Sequence, residues 1–169
     1  MKSKGFTLIE LVIVIVILGV IASIAVPLLL SISESLAFLI ARTSIDQAAD
    51  VALTRMVREI RRLDDDGSVN TAISSQFSFD DVNSNTISYS LSSTNLMRNS
   101  DILAGDVQSL SFTYYDDDGT TVATPLVSPN NTDIRRIDIS LEFQSSGQTL
   151  YYKSQVRPRN LRYMSDLFF

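Results

Sequence analysis

The chain has 169 residues, 45% of them hydrophobic and 20% charged, a size that suits one domain of ordinary proportions. Its net charge of −5 does not imply broad affinity for nucleic acid or anionic membranes. Cys and His are both absent, which removes disulfides, Cys-ligated zinc, thiol nucleophiles, the usual general base and the commonest metal ligand. Most hydrolase and metalloenzyme chemistries go with them, and no constellation of the remaining residues suggests an enzyme.

The first element is an apolar helix. From Leu11 to Leu30 the sequence holds twenty consecutive uncharged residues. At about 1.5 Å per residue such a helix just crosses the ~30 Å hydrocarbon core of a bilayer. Lys2 and Lys4 precede it, and the next cation is Arg42. The positive-inside rule therefore puts the N-terminus in the cytoplasm and the bulk of the chain outside it. Glu10 stands at the mouth of the run, where a carboxylate is costly and needs a partner or a role. A secretory signal would need a small-residue cleavage site; Ser23-Ile24-Ala25 fits that loosely, but the apolar run continues past it. A plain signal anchor explains the length but not Glu10. Pro27 lacks an N–H and Gly19 is a second soft point, so a kink is expected around them.

The stretch KGFTLIELVIVIVILGVIASIAVP resembles the type III signal and first helix of type IV pilins and type II secretion pseudopilins. The resemblance implies a leader, residues 1–5, cut after Gly5 by a prepilin peptidase on the cytoplasmic face. It implies N-methylation of the new terminal residue, Phe6. Glu10 then matches the family's glutamate, which pairs with the N-terminal amine of a neighbouring subunit, and Pro27 matches the family's helix proline. The physics agrees: an amine and a carboxylate are each expensive in lipid, and one neutralising the other reduces the penalty while fixing register. The break at Gly19 and Pro27 would let the helix bend or melt as the subunit leaves the bilayer for a filament. Residues 6–30 would form the transmembrane and filament-core half.

Residues 31–63 form the amphipathic half. Ile45, Ala49, Ala52, Leu53, Met56, Ile60 and Leu63 recur at spacings of three and four, the signature of a buried stripe. Arg55, Arg58, Arg61 and Arg62 crowd the last turns, where cations suit the helix dipole; a DNA-binding patch is the competing reading. Asp64-Asp65-Asp66-Gly67 then stops the helix. The whole helix would be on the order of 85 Å long.

Residues 64–169 form the globular region. Alternating patterns predict strands over 86–91, 109–116, 133–143 and 149–156, the last two joined by a hairpin through Gln144–Gln148. Their polar faces suit an antiparallel sheet covered on one side by the helix. The expected class is α+β: a long N-terminal helix packed on a C-terminal antiparallel sheet, the pilin fold that the resemblance implies. The segment from Ile87 to Gly119, with a Leu-x-Arg step at Leu96 and Arg98, is similar to the J-type minor pseudopilins and larger minor pilins.

Two DDDG runs, Asp64–Gly67 and Asp116–Gly119, raise the question of Ca²⁺. Three adjacent carboxylates point in different directions, so turn chemistry accounts for them more simply, with Asp116, Asp117 and Asp118 the residual calcium candidates. Asn130-Asn131-Thr132 fits a glycosylation pattern by chance, and the apolar end Tyr163–Phe169 suits packing or docking.

The expected protein is a non-enzymatic minor pilin or pseudopilin without a cofactor, held in the inner membrane and then in a type IV pilus or type II secretion pseudopilus. Its partners would be other major and minor pilins or pseudopilins, the prepilin peptidase and an inner-membrane assembly platform. Two alternatives differ in class: a tip-displayed DNA- or surface-binding module using Arg55 to Arg62 or Arg157, Arg159 and Arg162, and a signal-anchored envelope protein that never assembles.

Overall fold

A computed structural model describes residues 7–63, 68–126, 134–145 and 147–158. A single helix, α1, runs Leu8–Ile60 without interruption through Gly19 and Pro27. The chain falls into two units, one up to Arg42 and one from Thr43 onward.

In the first unit the large apolar side chains are exposed from Leu8 through Ile40, apart from the half-buried Phe38. This helix is long and apolar enough to cross a membrane. Its serines turn their hydroxyls inward on their own helix: Ser23 Oγ donates to the Val20 carbonyl at 2.7 Å, Ser31 to Leu28 at 3.0 Å, Ser33 to Leu29 at 3.0 Å and Ser35 to Ser31 at 2.8 Å. Hydroxyls satisfied this way do not need water, so they fit an apolar surrounding.

In the second unit the stripe Ile45, Ala49, Ala52, Leu53, Met56 and Ile60 is buried, and Leu63 continues it. It joins one core with residues from two antiparallel sheets, where a single sheet was expected. The first sheet is a meander of β1 (Val69–Ile73), β2 (Gln76–Asp80), β3 (Thr86–Ser92), β4 (Asn95–Arg98) and β5 (Asp101–Ala104) in that spatial order. The second contains β6 (Val107–Tyr115), β7 (Thr121–Val122), β8 (Arg136–Ser145) and β9 (Gln148–Val156), ordered β7-β6-β8-β9.

Alternation places the core in the second sheet: Leu110, Phe112 and Tyr114 on β6, and Ile137, Ile139, Leu141 and Phe143 on β8, are all buried. The β8–β9 hairpin pairs as far as Ser145↔Gln148, a tighter connection than the five-residue loop expected, and Gly147 takes φ 77° there. The turn after β1 joins the sheets. Ser74 accepts the Phe112 N–H at 2.8 Å, and Ile73 accepts the Tyr114 hydroxyl at 3.0 Å. Phe77 packs between them, with ring centroids 5.3 Å from Phe79 and 5.8 Å from both Phe112 and Tyr114.

Candidate functional site

Gly5 and Phe6 lie outside the described residues. The described chain opens at Thr7, and this residue starts the helix: its carbonyl accepts the Glu10 N–H at 3.1 Å and its Oγ1 accepts the same N–H at 3.3 Å. Thr7 is therefore the N-cap and Glu10 the third helical residue, the T-x-x-E spacing of a capping box. Composition alone assigns Thr7 no more than a local hydrogen bond; the spacing to Glu10 is the signal that marks the cap. The Glu10 carboxylate is exposed and has no ion-pair partner among the described residues. From Leu11 the helix carries no charged residue until Glu34.

A prokaryotic N-terminal methylation motif matches residues 1–26. The chain carries a prepilin-type signal. No curated protein matches it closely. The motif spans Gly5, Phe6 and Glu10 together and reaches Val26, so Pro27 falls just beyond it. A prepilin-type signal of this kind supports a pilin-like or pseudopilin-like subunit, and the apolar helix is compatible with a membrane anchor.

Within the second unit, the C-terminal part of α1 is fastened to the first sheet by a partly buried charge. Glu59 Oε2 accepts from the Tyr89 hydroxyl at 2.5 Å and from Arg98 Nε at 2.8 Å, while its Oε1 accepts from Arg55 Nε at 3.0 Å. The Glu59 side chain is only 13% exposed and that of Arg98 21%. Burial pushes the Glu59 carboxyl up, but the hydrogen bonds from Arg98, Tyr89 and Arg55 outweigh it and hold it below the usual glutamate value. Burial, and then the bond to Glu59, drive the Tyr89 phenol far above its ordinary value. A second polar contact joins Asp46 of the helix to the Tyr152 hydroxyl of β9. Leu96, beside Arg98 in the Leu-x-Arg step, is fully buried, so both residues of that step have structural roles.

The remaining sequence candidates scatter. Arg55 leaves the proposed DNA patch for Glu59, whereas Arg58, Arg61 and Arg62 stay exposed and share a groove with Lys153. Arg157 is exposed, and Arg159 and Arg162 lie outside the described residues, as do Asp64–Gly67, Asn130–Thr132 and Tyr163–Phe169. At the second acidic run Asp116 closes a turn, its Oδ1 accepting the Thr120 N–H at 2.7 Å with Gly119 at φ 79°. Asp117 faces Arg135 at 3.7 Å. Among the described residues no three acidic side chains converge as metal ligands, and these three Asp make a turn.

Proposed function

We propose that this chain is a structural subunit of a type IV pilus or a type II secretion pseudopilus, with no catalytic activity and no cofactor. It is cut after Gly5 by a prepilin peptidase, N-methylated on Phe6, and held as a single-pass inner-membrane protein with its N-terminus in the cytoplasm. It is then handed by an assembly platform to other pilins or pseudopilins, with Glu10 meeting the Phe6 amine of a neighbour. The observation that carries this reading is the methylation motif over residues 1–26, set on a helix whose first charged group is a carboxylate with no ion-pair partner among the described residues. Burying that carboxylate among apolar helices is tolerable only against a cation, so register is dictated by one pair.

We take the subunit to be a minor one that primes or caps the filament. The support is the J-type likeness, whose Leu96 and Arg98 occupy the core and the Glu59 clamp.

The test is the intact mass and N-terminal sequence of the protein from its native membrane, followed by filament recovery from Glu10→Ala cells. A start at Phe6 carrying one added methyl group, with Glu10→Ala lost from filaments, is the expected result. An uncut Met1, a start at Val26, or a Glu10→Ala subunit that assembles normally would overturn it.

A further inference from the structure

The globular unit concentrates positive charge against the chain's own average. Between the last turns of α1 and β9 lies a groove of about 560 Å³. Arg58, Arg61, Arg62 and Lys153 line it, with Asp50 the single carboxylate on its wall among the described residues. All four cations are exposed, and none has an ion-pair partner among the described residues, while Arg55, Arg98, Arg135 and Arg136 are each engaged with carboxylates. Leu53 and Val57 supply an apolar stretch of wall.

The other wall is Lys153 and Ser154 of β9, which is the edge strand of its sheet and pairs with β8 alone among the described strands. An open strand edge offers backbone donors and acceptors to an extended chain. A cationic wall facing an open edge therefore fits an extended polypeptide bearing carboxylates. It fits a nucleic acid poorly. Among the described residues no aromatic side chain lines the groove to stack a base.

We propose that this groove docks an extended, carboxylate-rich segment of a partner protein, held by salt bridges to Arg58, Arg61, Arg62 and Lys153 beside the β9 edge. The groove uses residues remote in sequence from Glu10, so its test reads separately from filament assembly. The probe is a fluorescent peptide of alternating Asp and Val, long enough to run along β9, titrated by anisotropy against the full chain in a non-ionic detergent. The Asp peptide binds, binding weakens as salt is raised, and the Arg58→Gln/Arg61→Gln/Arg62→Gln variant binds at least about tenfold more weakly with an unchanged unfolding temperature. The same peptide with Asn for Asp does not bind. Absence of binding, equal binding by the variant or by the Asn peptide, or tighter binding of an oligothymidylate than of the Asp peptide overturns the proposal.

Discussion

Replacing Glu59 by Ala tests how firmly the helix is held to the first sheet. The substitution orphans three donors of unequal weight. The Tyr89 hydroxyl belongs to a residue with no exposed surface, and leaving such a group unpaired costs about 1–3 kcal/mol. Arg98 is 21% exposed, so its loss is discounted by the water that reaches it, to about 1–2 kcal/mol. Arg55, at 41% exposure, adds only about 0.3–0.5 kcal/mol. Together these give roughly 2–5 kcal/mol, or an unfolding temperature lowered by roughly 5–20 °C. Near-UV circular dichroism of the full chain in detergent tracks the transition through its buried tyrosines. The double variant with Arg98→Ala should lose less than the sum of the two single losses.

The pH dependence of this contact carries a definite sign. Because the folded carboxyl lies below its ordinary value near 4.5, the folded chain holds fewer protons there than the unfolded chain. Glu59 thus contributes its charge-dependent stability in full above that value and loses it as pH falls through the depressed one. The gap between wild type and Glu59→Ala should accordingly narrow in acid. A variant within about 0.5 kcal/mol of wild type at neutral pH, or a gap that stays constant into acid, would refute the clamp.

Burial raises the phenols of Tyr89 and Tyr114 far above 10, so the folded state retains their protons longer than the unfolded one. Their contribution to stability is complete below pH 10 and falls as pH rises beyond it; phenolate absorbance should climb in two steps, the second coinciding with unfolding, and a single step for all six tyrosines would contradict this. Phe77→Ala, which empties the ring position between the two sheets, should cost about 3–5 kcal/mol in denaturant titrations, and a loss under about 1 kcal/mol would mean that the sheets are not joined there.

The elements that sequence exposed were those obeying one period over many residues. Helix α1 announced itself by twenty uncharged residues and then by a stripe at spacings of three and four, while β3, β6, β8 and β9 did so by alternation. Strand β2 does alternate, with Phe77 and Phe79 between Gln76, Ser78 and Asp80, but over only five residues in a run rich in Ser and Asp, too short to stand out as a period. Strands β4 and β5 have four residues each, too few to establish a period. The turns of the meander conceal themselves as well. Ser84, Ser93 and Asn99 take φ from 53° to 60° without glycine, so the usual Asn-Gly or Asp-Gly hairpin mark is missing.

The division into two sheets rests on contacts such as Tyr114 to Ile73, 41 residues apart, which no local pattern encodes. At the candidate site, the methylation motif was legible because residues 1–26 carry it contiguously, and the Leu-x-Arg step singled out Arg98 without its partner. Its partner Glu59 lies 39 residues away, and only folding brings them together.

The two polar attachments of the helix have a mechanical meaning. Asp46 is tied to the second sheet and Glu59 to the first, about 20 Å apart along the helix axis, with the buried stripe running between them. Tension applied along α1 would load both fastenings and that stripe in shear, so they must yield together rather than peel one after another. A subunit hauled by its helix would keep its globular unit folded at forces that would unzip a hairpin strand by strand.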